Sequence, residues 1–152
     1  MNELIRIRRA LLDIAARLSW LPPALARLTL GIIFTGSGWG KLHNLQTVTE
    51  FFRQLHVPAP GFNAAFVGAT ELVCGILLLL GLASRLAAIP LIVTMCVAIA
   101  TAKSSDLEGF GDLLRLPEWD YIVLSIWIAV AGAGALSLDH LLSRRLRLSE
   151  TR

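Results

Sequence analysis

The sequence predicts an all-α fold, a four-transmembrane-helix antiparallel bundle preceded by an N-terminal amphipathic interfacial helix. Three observations lead there. Of 152 residues, 55% are hydrophobic and 16% charged, and the mean hydropathy is +0.67. A soluble domain is nearer a quarter charged, so this chain lacks the polar side chains to cover a globule, and lipid is the expected solvent. Four apolar runs follow one another, parted by proline- and glycine-containing connections. The cations collect at one set of run ends, as the positive-inside bias of membrane proteins requires.

Residues 1–20 read as an amphipathic membrane-surface arm. Leu4, Ile7, Leu11, Ile14 and Leu18 share one helical stripe, with Arg6, Arg9, Asp13 and Arg17 elsewhere. The apolar residues are spaced, unlike the continuous run of a signal peptide. Such a helix lies on the inner leaflet; the alternative is an extension of the first spanning helix. The membrane domain is 21–142, with helices at about 21–42, 62–83, 86–103 and 119–139. The first has Arg27 near its start and Lys41 near its end, and spans only if these charged ends snorkel. Pro22 and Pro23 suit its first turn, where a missing N–H costs nothing.

Thr47 and Glu50 in "TVTEFF" have capping-box spacing, which predicts a short helix in the first outer connection. "HVPAPGFN" (56–63) is a turn. The second run carries one charge, Glu71, and "GLASR" closes it tightly. The third has Pro90 near its start, where a kink or early break is expected. "SSDLEGFGDLLRLPEWD" (104–120) is a longer acidic connection without the ligand spacing of a calcium loop. The fourth run is uncharged from Tyr121 to Leu138. Residues 143–152 form a basic cytoplasmic tail.

With both termini cytoplasmic, Arg6, Arg8, Arg9, Arg17, Arg27, Arg85, Arg144, Arg145, Arg147 and Arg152 fall inside. Lys41, Arg53, Lys103 and Arg115 fall outside, completing the 14 cations. Trp20, Trp39 and Trp119 land at interfaces, as an aromatic belt does. The net charge of +3 and a pI near 9.4 therefore speak for an anionic membrane surface and against nucleic acid, because the cations sit at helix ends and not along one face. Cys74 and Cys96 lie in apolar surroundings with no metal-ligand spacing. They read as small buried side chains, with a redox pair as the alternative. No metal site is predicted.

The polar residues inside the runs raise the functional question. A charge at mid-bilayer costs ~2.5 kcal/mol or more. Glu71 lies roughly 14 Å along its helix from Phe62, near the middle of a ~30 Å core. Lys41 lies about 24 Å from Leu25 on an antiparallel neighbour, so the two differ in depth by roughly 8 Å. A lysine directed inward nearly closes that gap; directed outward, it is only an interface anchor. Gly68, Cys74 and Gly75 share the helical face of Glu71, and small residues mark close helix packing. Glu71 is therefore expected to face the bundle, either as a structural hydrogen-bonded group or as a functional one. Gly36 and Gly40 form a GxxxG pair expected to bring the first helix close to a neighbour. His43 reads as an ordinary interfacial residue or as part of the same polar site. At the inner edge, Asp139 is expected to pair with Arg27, Arg85 or both.

Three blocks carry a resemblance: "RLTLGIIFTGSGWGKL" (27–42), "ELVCGILLLLGLASRLAAI" (71–89) and "GAGALSLDHLL" (132–142). In this order they resemble the DoxX family of small four-helix bacterial membrane proteins, over roughly 27–142. "WDY" (119–121) is similar to the family's entry to its last helix. Arg27, Gly31, Gly38, Lys41, Glu71, Gly75, Gly81, Arg85, Ser137 and Asp139 fall at its characteristic positions. Lys103 stands where many members have histidine, "GAG" where "GPG" is common, and the N-terminal arm is extra.

The resemblance implies kinship with subunits of quinone-linked oxidoreductases, with oxidative-stress systems, and with assembly chaperones. The leading expectation is a subunit of a quinone-linked redox or oxidative-stress system in the inner membrane. Glu71 and Lys41 would be its catalytic pair, with His43, Trp39, Gly38 and Gly75 around a quinone, the one cofactor implied. No haem-ligand, flavin or iron–sulfur pattern is visible, so electrons would come from a partner. Expected partners are membrane lipid and either a second copy or a redox subunit. The alternatives are a non-enzymatic scaffold or assembly chaperone and, less favoured with a single mid-membrane acid, a proton-coupled transporter.

Overall fold

The structure, a computed structural model, describes residues 2–104, 107, 109–134 and 136–141. The basic tail 143–152, with the four arginines placed there, lies outside the described residues. The described chain is helical without strands. Its elements are α1 (Asn2–Arg17), α2 (Leu21–His43), α3 (Leu45–Gln54), α4 (Pro60–Leu80), α5 (Ser84–Ala98), a π-helical segment (Ile99–Lys103), α6 (Phe110–Leu113) and α7 (Pro117–Ala131).

Helix α2 packs along α4, and α5 along α7. Contacts of α4 with α5 and of α2 with α7 close the bundle, and α3 lies against α4. The core is apolar: Leu30, Phe34, Leu78, Leu91 and Ile128 are fully buried, and Phe34 meets Tyr121 edge-on at 5.7 Å between ring centres. The outward face is just as apolar. Ile32 is 65% exposed and Val130 73%, a pattern that water would penalise and acyl chains accept. Among the described residues, three helical stretches are long and apolar enough to cross a membrane: Glu3–His43, Pro60–Leu80 and Ser84–Lys103. Helix α7 is apolar but has 15 residues, so it spans ~22 Å.

Helix limits differ from the sequence reading where glycines intervene. The second run was expected to reach 83, but α4 stops at Leu80. Gly81 turns left-handed (φ +67°), Leu82 N–H donates to the Leu77 carbonyl, and Gly81 N–H donates to that of Leu78. This is a Schellman closure. The fourth run was expected to reach 139, but α7 stops at Ala131, and Gly132 (φ +87°) and Gly134 (φ +77°) fold the chain back. A hydropathy run does not register such a turn, because the residues beyond it are still apolar. Pro90 neither breaks nor ends α5. The short outer helix exists as α3, but its N-cap position is Asn44 and Thr47 lies inside the helix. Glu50 instead pairs with Arg53, so the capping-box reading is corrected.

Helix α1 is separated from α2 by hydrogen-bonded turns over 18–20, where Leu21 N–H donates to Leu18 and Ala24 N–H to Trp20. Leu4, Ile7, Leu11, Ile14 and Leu18 are all exposed. The apolar stripe of α1 thus has no partner among the described residues.

Candidate functional site: an ion pair between two glycine-notched helices

Glycines decide how near α2 comes to α4. A Cβ at Gly38 would lie 2.7 Å from the Gly68 carbonyl oxygen and nearer still to the Leu72 backbone nitrogen. A Cβ at Gly75 would lie 2.5 Å from the Thr35 nitrogen, and one at Gly31 2.8 Å from the Leu79 side chain. Backbone therefore meets backbone along this seam. Gly36 and Gly40, the expected GxxxG contact, have open space beside them. The correction is one of helical phase: Gly31 and Gly38 lie seven apart on one face, and Gly36 lies off it. Gly38 and Gly75, expected to line a quinone, are filled by the opposing helix. They hold α2 against α4 and leave no room beside themselves.

Between Gly68 and Gly75 sits Glu71, 1% exposed near the midpoint of α4. Lys41 projects from α2 one turn beyond Gly38, its Cβ against Gly68. Its Nζ donates to Glu71 Oε2 at 2.5 Å and to Ser37 Oγ at 2.7 Å. The lysine side chain keeps 26% of its surface exposed. The lysine thus reaches inward from near the helix end and closes the depth difference that the sequence left between the two. Charge neutralisation and two hydrogen bonds offset the desolvation of both groups. Ser37 was missed by sequence reasoning. Its only signal is its place four residues before Lys41, on the same face.

Trp39 and His43 partner one another. Their rings lie 4.0 Å apart between centres, and His43 Nδ1 is 3.0 Å from the Trp39 carbonyl oxygen. Both are exposed on the outward side of α2, so neither joins the Lys41–Glu71 pair. Cys74 is buried, Cys96 is exposed, and both thiols are free.

The opposite edge of the bundle collects Arg27, Arg85 and Asp139, but not as ion pairs. Asp139 accepts from the backbone N–H of Ala83 (2.8 Å) and Ser84 (3.2 Å). It caps the first turn of α5, where the helix dipole favours an anion. Its own N–H donates to the Gly81 carbonyl at 3.0 Å. Arg27, 5% exposed, lies across Gly81 and donates Nη2 to the Leu136 carbonyl at 2.7 Å; its Nε and Nη1 have no partner. Arg85 reaches the Ala131 carbonyl at 3.5 Å. The expected pairing of Asp139 with the arginines is therefore corrected. The carboxylate goes to bare helix-end N–H groups, which a sequence does not display; Arg85 goes to the last carbonyl of α7, and Arg27 to the Leu136 carbonyl in the segment that follows.

Comparison with known proteins agrees with this architecture. The DoxX family model matches residues 23–104. An uncharacterized membrane protein of Mycobacterium tuberculosis is 35% identical over 137 residues, 82% of this chain and 84% of that one. A Bacillus subtilis protein named "Putative oxidoreductase CatD" is 32% identical over 117 residues, 76% and 82% of the two chains. "Inner membrane protein YqjF" of Escherichia coli is 28% identical over 123 residues, 79% and 91% of the two. No solved structure matches. With more than half its length inside the family model, and the charged and glycine positions built into one helical bundle, the chain belongs to the DoxX family of membrane proteins.

Proposed function

We propose that the protein is a subunit of a quinone-linked redox or oxidative-stress system, with Lys41 and Glu71 as its polar site. One observation carries the reading: a glutamate 1% exposed at mid-helix, held at 2.5 Å by a lysine that is itself a quarter exposed. A buried acid joined to an accessible cation can pass a proton between the interior and the edge. The oxidoreductase name of the Bacillus subtilis relative supports the same class.

The residues fit a quinone headgroup in one respect. The lysine ammonium has three donors; Ser37 and Glu71 take two, and the third can meet a carbonyl oxygen. A bound quinone supplies a two-electron, two-proton acceptor. Lys41 would hold the headgroup through a hydrogen bond from Nζ to its carbonyl oxygen and place a positive charge beside it. Glu71 Oε2, within hydrogen-bond reach of Nζ, holds and returns the proton that Lys41 relays. Trp39 and His43 flank the approach from the lipid side, and a partner subunit brings electrons. The chain sits in the inner membrane with both termini cytoplasmic, so that the arginine edge lies inside. α1 rests its apolar stripe on the inner leaflet.

Quinone binding by the purified full chain tests this. Wild type is expected to bind a ubiquinone or menaquinone analogue, and Lys41→Ala and Glu71→Gln to lose at least tenfold in affinity. Binding unchanged in both variants would remove the site from consideration. A non-enzymatic scaffold is the second reading, favoured by the open face of α2, where Gly36 and Gly40 permit close approach of another helix. Absence of quinone binding, with a membrane protein co-purifying in fixed ratio, would decide for it.

A further inference from the structure

The arginine edge carries a pocket of about 500 Å³. It lies between the start of α5 and the end of α7, under the returning segment that follows Gly132. Arg85, Leu86, Gly134, Ser137 and His140 line it, with Asp139 the only acid among its described lining residues. Asp139 is engaged already, one oxygen on Ala83 N–H and the other on Ser84 N–H. Arg85 is exposed, and among the described residues no carboxylate pairs with it; its one hydrogen bond is the long one to Ala131. Its guanidinium lies against Gly132, where a Cβ would sit 3.1 Å from Nε. The buried Arg27 adds a second positive charge behind Ser137, sharing the same Asp139 as its nearest acid.

Two guanidinium groups thus face one carboxylate, and that carboxylate is turned to helix N–H groups. The site is electropositive and wants an anion from outside the chain. Its place says which kind. Arg85 is the second residue of α5, at a helix end, while Leu86 beside it is 70% exposed and Val130 on the facing helix 73%. The pocket therefore opens where an apolar surface meets a polar edge, the depth of lipid phosphates. We propose that it holds the phosphate of an anionic phospholipid headgroup, with the fork of Arg85 as the principal donor and the acyl chains lying along Leu86 and Val130. Planar guanidinium donors match two phosphate oxygens at once, which a lone ammonium does not. Basic pockets between helices at a membrane edge are suited to such headgroups. The same donors would also attract free phosphate, so the test separates the two sources.

The full chain, purified in neutral detergent, is heated with phosphatidylglycerol, phosphatidylcholine or inorganic phosphate, and the unfolding midpoint is followed. Phosphatidylglycerol is expected to raise the midpoint of wild type and the other two to leave it unmoved. Arg85→Gln should need about tenfold more phosphatidylglycerol for the same rise, whereas Arg53→Gln, on α3 at the opposite edge, should respond as wild type does. Equal responses of Arg85→Gln and wild type overturn the proposal. A rise with inorganic phosphate alone, lost in Arg85→Gln, overturns the lipid assignment. Native mass spectrometry of the wild-type chain gives a reading that does not depend on a variant folding: one retained phosphatidylglycerol is expected, and bare protein overturns the proposal.

Discussion

The two edges of this bundle spend similar residues in opposite ways. At the lysine edge, a cation and an acid from different helices find each other directly, Lys41 to Glu71, and the acid is sealed from solvent. At the arginine edge, two cations and an acid lie close together, and among the described residues none forms an ion pair; each turns to backbone at or beyond a helix end. The partners within reach explain the difference. Glu71 lies at the middle of α4, where the backbone is already satisfied, so only a side chain remains as partner, and Lys41 in the last turn of α2 supplies it. Around Gly81 and Gly132, the N–H groups of Ala83 and Ser84 and the carbonyls of Ala131 and Leu136 take the charges. The acid at mid-helix is thus committed to another side chain, whereas the charges of the arginine edge are committed to backbone groups.

The comparison breaks most easily at the seam on which the ion pair depends. Gly38→Val should force α2 from α4 and cost ~3 kcal/mol or more, seen as loss of a monodisperse peak and a sharply lower unfolding midpoint; Gly36→Val, beside open space, should stay within ~0.5 kcal/mol of wild type. Next comes the pair itself. Lys41→Ala leaves a buried carboxylate without its counter-charge and should cost ~3 kcal/mol or somewhat more, while the double change Lys41→Met with Glu71→Leu should recover most of it. A double variant no more stable than Lys41→Ala would show that the pair does not behave as a unit. The smallest effect belongs to the other edge. Asp139→Ala removes a helix cap and should cost about 1 kcal/mol, with Asp139→Asn between it and wild type, because an amide oxygen still caps. An Asp139→Asn as damaging as the alanine would mean that the negative charge, and not the capping oxygen, holds this edge.

The sequence shows the fold class plainly, because hydropathy runs and the clustering of arginines report directly on lipid and its surface. It also places Glu71 and Lys41 within ~8 Å of one another in depth, since the depth of each follows from counting residues along a helix, but leaves open whether the lysine turns inward or serves only as an interface anchor. It does not show which glycines meet a neighbour. Gly36 and Gly40 have the recognised spacing, yet Gly38 and Gly75 make the contact, because rotation about the axis of α2 is set by the whole bundle. Nor does it show the bond partners of Asp139, which exist only once α4 and α7 have ended at Gly81 and Gly132. His43 and Trp39 fall near Lys41 in sequence, yet they lie on the outward side of α2, a matter of helical phase that the spacing alone contains.

Helix α7 is short, ~22 Å against ~31 Å for α4. A bilayer wrapped around this protein meets unequal walls. On the α7 side, the lipids must shorten or tilt to keep their tails covered, at a fraction of a kcal/mol for each ångström of mismatch. That dimple is an asymmetric deformation carried by a single chain. Two such dimples would cost less merged than apart, so the elastic strain around this chain is concentrated on the α7 flank.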